Sequence, residues 1–457
     1  MKQRQIKNIE LFFILLHAIF AFAVYIIPFA SNLLNIAIVV TSIAYILFSK
    51  NTVVAVLASS AYIATSDVFF RMTGGLFFWE LHKYLLILFV IMGLLLDNVR
   101  VKGYTYLIYI GLLLLSILFT TYNYTDEVRR MIAFNLAGPI SLGFVAFYFY
   151  KKRVTIKQLH YVLFVALLPI VSLVTYLFLF TPSIKESVTG TASNFATSGG
   201  FGPNQVATIL GVGVFILFSR LLLNKFKGIQ SIIELALLGF ILFRGLVTFS
   251  RGGIITAAIA ISMLLIVMYL RGNTKVKSKL FKTIFFASIL AIGVWFFALE
   301  RTSGLLDNRY ANENAFGEKK EDVSTGRSEL FITELDAFLE NPIFGIGVGK
   351  NKQFRFERTG RLAATHNEIS RLLAEHGVFG IAAFIILLIV PFLLRMENSK
   401  NIYFYSVLIF WLLTINHSAM RIAFPSFIYG LSLLNVDFQK KKRLKPNDII
   451  HREQVSI

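Results

Sequence analysis

The sequence predicts an all-α polytopic membrane protein with about 12–14 transmembrane helices and one long outer loop that contains short helices. Three observations predict it. Of 457 residues, 56% are hydrophobic and 15% charged, against roughly 45–50% and about 25% in soluble domains. Apolar runs of about 20 residues, the length that crosses a bilayer, recur throughout. Lys and Arg gather in alternate short loops, the pattern that holds those loops in the cytoplasm. This composition excludes an ordinary cytosolic enzyme, a disordered chain and a small secreted module.

The apolar runs fall at roughly 11–29, 33–48, 52–66, 76–96, 104–120, 131–150, 158–180, 203–223, 229–249, 253–270, 280–299, 378–395, 402–418 and 422–438. The third is short and the fourth carries Glu80, His82 and Lys83, which leaves twelve to fourteen spans. The first has a basic start and no small-residue cleavage pattern, so it reads as a retained span. Lys50, Arg100 and Lys102, the 151–157 cluster, Lys225 and Lys227, the 271–282 cluster, Arg395 and Lys400 mark the cytoplasmic side. The tail from Lys440 is basic as well, so an even number of spans puts both termini inside. The net charge of +20 is thereby explained by membrane orientation, with no nucleic-acid partner expected.

Five segments follow: N-terminal spans (1–180), central spans (181–299), a large outer loop (300–377), C-terminal spans (378–438) and a basic cytoplasmic tail (439–457). The outer loop holds 10 Lys/Arg and 11 Asp/Glu between Glu300 and Arg361, the near-balance expected of a translocated region. Loops of that length without structure are uncommon unless functional. Two helices are expected in it. Arg327 to Glu340 puts Phe331, Leu335, Phe338 and Leu339 on one stripe, and Asn341-Pro342 stops it. The second starts at Thr365-His366-Asn367-Glu368, a capping box with Thr365 at N-cap and Glu368 at N3. Gly345-Ile-Gly-Val-Gly349 makes a tight turn between them.

The chemistry-bearing residues lie in or beside this loop. As the first residue of a helix, His366 would sit at the positive end of the dipole and be biased towards the neutral form that accepts a proton. A surface His beside a cap is the bland alternative. Arg251, in Ser250-Arg251-Gly252-Gly253, has two neighbours without side chains, leaving room for a ligand, and Arg suits bidentate phosphate recognition. It also reads as an interfacial snorkelling Arg. Arg244, seven residues earlier, would share its face on a continuous helix, or else pair with Glu234 or Glu80. A cation at a helix start, as at Arg327, is locally unfavourable and hints at another purpose. Lys350, Lys352, Arg355, Arg358 and Arg361 form a basic strip that could attract an anion or simply be solvated.

Several alternatives fail. Gly345 to Gly349 has no preceding strand, so a dinucleotide site is rejected. No Asp-x-Asp pair exists, the seven His show no ligand spacing, and Cys is absent. Metal-independent chemistry without a cofactor is therefore expected.

Gly326-Arg327-Ser328, Asn341-Pro342-Ile-Phe-Gly-Ile-Gly-Val-Gly349, Thr365-His366-Asn367-Glu368 and Leu373-Ala-Glu-His-Gly377-Val-Phe-Gly380 follow one another in the loop. With Gly202-Pro203-Asn204 and Ser250-Arg251-Gly252-Gly253 upstream, this order resembles the O-antigen ligase/polymerase superfamily over roughly 200–395. The resemblance implies a bacterial inner-membrane glycosyltransferase whose large loop is periplasmic. Its donor would be a glycan on undecaprenyl pyrophosphate, and its acceptor a hydroxyl of lipid A core, of a growing glycan or of a protein. It implies that His366 is the catalytic base and that Arg251 and Arg327 hold the donor pyrophosphate. Asn204, Asn367, Arg361, Arg371 and Arg421 are possible supporting residues. The residues after the "HN" pair, Ile369-Ser370-Arg371, identify no subfamily; ligation onto lipid A core is placed slightly ahead of repeat-unit polymerisation. A secondary transporter or lipid flippase is the reading of another class, but the polar residues gather in one loop and not in repeated halves at the midplane.

Overall fold

The structure, a computed structural model, describes residues 2–98, 101–119, 126–223, 228–321, 326–360, 362–363, 365–397 and 401–437. Arg361, Arg100, Lys225, Lys227, Lys400 and the tail from residue 438 lie outside the described residues.

The first part of the chain is a run of apolar helices: α1 (Lys2–Ile26), α2 (Ala30–Phe48), α3 (Thr52–Met72), α4 (Leu81–Leu96), α5 (Thr105–Leu115), α6 (Asp126–Phe149) and α7 (Ile156–Phe180). Their starts have local causes. Asn51 accepts a hydrogen bond from the Val54 amide at α3, and Thr155 with Gln158 forms a capping box at α7. The short α8 (Ile184–Ser187) follows, then α9 (Pro203–Leu223), α10 (Ile229–Leu246), α11 (Arg251–Arg271) and α12 (Thr274–Arg301). Two three-residue strands, β1 (Arg153–Thr155) and β2 (Asn435–Asp437), pair in parallel and tie the end of the described chain to the start of α7.

Ten of these and the later helices are long and apolar enough to cross a membrane, and α4, α5 and a later α17 are shorter apolar helices. This is an all-α polytopic membrane protein. Burial sorts the spans in a way that water would not allow. In α3 and α9, 89% of the apolar window is buried inside the protein; in α12 only 6% is, although its mean hydropathy (2.0) exceeds that of α3 (1.7). Phe285, Phe286 and Phe296 stand exposed on α12. Such a surface is stable only against lipid.

Helix α3 outruns its apolar stretch. The sequence run ends near Ser66, yet the helix continues to Met72 because Asp67 and Arg71 pair one turn apart at 2.9 Å. Asp67 also accepts the Ala423 amide at 2.9 Å. Conversely, the run at 76–96 becomes helical only at Leu81, and the run at 422–438 yields just nine helical residues.

The long segment after α12 contains α13 (Leu305–Tyr310), α14 (Arg327–Glu340) and α15 (Asn351–Thr359) and ends in the first turns of α16 (Glu368–Glu397). After it come α17 (Phe404–Ser418) and α18 (Phe424–Ser432). Helix α14 has the bounds the sequence predicts, but it is inverted. Phe331, Leu335 and Leu339 are exposed, while Thr333, Glu334 and Ala337 are buried. The packed face is the polar one because Glu334 is the anchor of the loop. Its carboxylate meets the Arg355 guanidinium at 2.6 Å and accepts the hydroxyls of Thr365, at 2.6 Å, and Ser370.

Helix α16 breaks at Gly377 (φ 58°, ψ −137°). The turn after α14 docks into that break: Val378 N–H donates to Pro342 O at 2.8 Å, and Ile346 N–H to Ala374 O at 2.9 Å. A Cβ on Gly377 would lie 2.6 Å from the carbonyl oxygens of Pro342 and Ile343, and one on Gly345 2.4 Å from the Glu375 backbone. Two glycines in left-handed conformations thus let two backbones touch, which fixes α14 relative to α16.

Candidate active site

The chain between the loop helices and the spans brings His366, Arg251, Arg327, Asn204 and Asn367 together. Two cavities adjoin His366. The larger, about 510 Å³, is lined by Gly252, Ile255, Thr256, Arg327, Leu330, Phe331, Ile332, Glu334, His366, Asn367, Leu413, Asn416 and His417, among others. The smaller, about 290 Å³, is polar and includes Asn204, Arg327, Glu329, Arg355 and His366.

His366 does not begin a helix. Helix α16 starts at Glu368, and Asn367 is its cap: Asn367 Oδ1 accepts from the amides of Ile369 (2.8 Å) and Ser370 (3.4 Å). The Thr365 hydroxyl is taken by Glu334, so it cannot cap, and Glu368 is paired with Arg371. His366 therefore precedes the cap, and the dipole argument for its neutrality does not apply. Burial does that work instead, helped by the charges of Arg421, Arg327 and Arg355, and together they push its pKa down to about 4.

Three arginines of this region make no ion pair among the described residues. Arg251 starts α11, Arg327 starts α14, and a third, Arg309, comes from α13. Burial and Arg251 lower the pKa of Arg327; burial, Arg251 and Arg327 lower that of Arg309; burial, Arg309 and Arg251 lower that of Lys320. Cations held in mutual repulsion form a site for an anion. Arg309 was missed by sequence reasoning. Its Nε donates to Phe249 O at 2.9 Å, and Phe249 itself has a left-handed φ of 58°. No motif marked it.

That turn also settles Arg244. Helix α10 ends at Leu246, so Arg244 and Arg251 lie on different helices. Both Arg244 Nη atoms donate to Thr181 O at 3.3 Å, and Glu234 and Glu80 are engaged elsewhere, by Arg220 and Lys83. Gly253 serves packing, while Gly252 also lines the 510 Å³ cavity. A Cβ on Gly253 would sit 2.1 Å from Ala207 O, and one on Gly252 2.7 Å from the His417 ring. Asn204 Oδ1 accepts the Ser250 hydroxyl at 2.7 Å and so braces the residue before Arg251.

Of the other supporting residues, Asn367 Nδ2 donates to Asn416 Oδ1 at 2.6 Å, and Arg421 donates to Thr365 O, tethering the His366 segment to the α17–α18 turn. Arg371 is neutralised: it is buried between Glu368 and Glu375, the latter at 2.8 Å. The basic strip is likewise partly structural, with Arg355 on Glu334 and Arg358 on Glu340. Among the described residues no cluster of three His, Asp or Glu could hold a metal ion.

A third cavity, about 680 Å³, lies across the Thr365–Glu368 segment and includes Thr365 and Arg421. Its charged lining is balanced, four carboxylates (Glu80, Glu127, Glu368, Glu375) against Arg130, Lys352, Arg371 and Arg421.

Residues 235–385, about a third of the chain, match the family model described as O-antigen ligase. That segment carries the signature of the O-antigen ligase/polymerase superfamily. Arg251, Arg309, Arg327 and His366 fall inside the match, Asn204 and Arg421 outside it. No curated protein matches the chain. The family match supports a membrane glycosyltransferase of the O-antigen ligase or polymerase kind, with a lipid-linked glycan and an acceptor as its partners.

Proposed function

We propose that the protein transfers a glycan from undecaprenyl pyrophosphate to an acceptor hydroxyl on the periplasmic face of the bacterial inner membrane, with lipid A core as the acceptor and both termini cytoplasmic. The observation that carries this reading is the set of three arginines that make no ion pair among the described residues, beside a half-buried histidine whose pKa of about 4 keeps it neutral. In the step, the acceptor oxygen bonds to the anomeric carbon as the bond from that carbon to the pyrophosphate oxygen breaks. His366 takes the hydroxyl proton. Arg251 and Arg327, with Arg309 behind them, stabilise the charge that develops on the departing pyrophosphate. One displacement inverts the anomeric centre and needs no metal. The apolar wall of the 510 Å³ cavity, with Ile255, Leu330, Phe331 and Ile332, suits the first isoprene units.

A glycan gel of cells lacking the protein tests this, with complementation by wild type and His366→Ala. Bare lipid A core beside accumulated lipid-linked long chains supports ligation. An acceptor carrying a single repeat moves the reading to polymerisation, and an unchanged ladder sinks the transferase altogether.

A further inference from the structure

The 680 Å³ cavity plays no part in the step above. We propose that it is a saccharide site that holds the sugar of the acceptor, an inference that rests on the transferase reading. Four observations carry it. Its size is in the range of ligand sites. Its lining includes the half-exposed rings of Phe78, Trp79, Tyr84 and Phe134, with the Arg71 guanidinium over one face of Trp79 at 4.7 Å; such rings suit the C–H face of a pyranose. Its charges cancel, so it favours a neutral ligand, unlike the cationic side of His366. It also contains a buried donor without a partner: Asn351 is 5% exposed, lines the cavity, and its Nδ2 has no hydrogen bond among the described residues. A hydroxyl, which both donates and accepts, satisfies such a group.

Position adds to chemistry. Thr365 lines this cavity while His366 lines the other two, so the 365–367 segment is the partition between them. A displacement that inverts needs nucleophile and leaving group on opposite sides of the anomeric carbon. Sugar on one side of the partition and pyrophosphate on the other provides that arrangement, with the acceptor hydroxyl reaching His366 across the segment's edge.

The experiment uses the full chain in nanodiscs and the variants Trp79→Ala and Tyr84→Ala, both at half-exposed positions. Initial rates are measured with the acceptor varied at saturating donor, and the reverse. The acceptor KM rises about three- to tenfold for each variant, the worth of one ring contact, while the donor KM is unchanged. A raised donor KM with an unchanged acceptor KM overturns the proposal, since the cavity would then hold the donor's glycan; so does no change in either. Binding is read independently of transfer. In the absence of donor, the soluble oligosaccharide released from lipopolysaccharide by mild acid is titrated while tryptophan fluorescence is followed. It changes the emission of wild type and not of Trp79→Phe, and inorganic pyrophosphate does not compete. If transfer fails but this binding holds, the transferase reading falls and the saccharide site stands. No binding overturns the site.

Discussion

The two sides of the His366 segment have similar numbers of basic side chains and opposite electrostatics. On one side Arg251, Arg309 and Arg327 make no ion pair among the described residues, and burial together with the Arg251 charge lowers the proton affinity of Arg309 and Arg327. On the other, Arg371 lies between Glu368 and Glu375, and the cavity charges cancel. The difference teaches that a count of cations does not locate an anion site. An arginine paired with a buried carboxylate is part of the scaffold, and it would cost the fold several kcal/mol to expose the partner. An arginine left beside other arginines is a cost that only a ligand removes.

The comparison is tested hardest at its dividing line. His366→Ala lowers the transfer rate by about 10²–10⁴-fold, the usual worth of a general base, with expression and membrane insertion unchanged. Transfer near the wild-type rate in purified enzyme would remove the base assignment. Next in size is Arg251→Lys, which keeps the charge and loses the fork. A roughly ten- to hundredfold fall in kcat/KM for the donor is expected, the worth of one charged hydrogen-bonding contact. Near-normal activity would make Arg251 an interfacial residue. Among the arginines that have a carboxylate partner, Arg358→Lys, at an exposed pair with Glu340, leaves both parameters within about twofold.

Arg309→Gln separates the two kinds of arginine in another way. Its Nε bond to Phe249 O survives in geometry with an amide donor, but its charge is lost. About a tenfold loss in donor kcat/KM, smaller than at Arg251, follows if the third cation contributes to the field. Unchanged kinetics with an unchanged thermal midpoint would confine Arg309 to holding the turn before α11.

Much of this was legible in sequence and some could not be. Helix α14 was readable to the residue because Gly326 and Asn341-Pro342 bound it in the local code. Arg327 was singled out by its position at a helix start, and His366 by an expected start that in fact lies two residues further on, at Glu368. The capping box failed because two residues, Thr365 and Asn367, could both cap, and the choice was made by Glu334, 31 residues away from Thr365 in the chain. The inverted face of α14 has the same origin, since one buried ion pair to Arg355 outweighed a stripe of apolar residues. Arg309 was illegible because nothing local distinguishes it; its neighbours arrive from α11 and α14. Short helices such as α18 were overread because an apolar run marks burial as readily as a span.

A displacement between two pH profiles probes the cation-rich side directly. In the free enzyme, burial first and then Arg421 and Arg327 hold His366 near a pKa of about 4. The acid limb of kcat/KM for the donor therefore lies near pH 4, below the ordinary histidine value. A bound pyrophosphate neutralises the arginines and places negative charge nearby, which favours imidazolium. In the donor complex the limb, read from kcat, moves up by roughly 1–2 pH units. The ligand thus makes His366 a stronger base when a proton has to be taken. Stability carries the matching sign. With the folded pKa below the unfolded 6.5, the unfolded chain binds more protons between pH 4 and 6.5, so stability is full above 6.5 and falls as pH drops through that window. His366→Gln removes the part of that slope that His366 contributes. Coincident kcat and kcat/KM limbs would mean that the anion binds too far from His366 to be felt, and the pyrophosphate would then have to be placed away from Arg327.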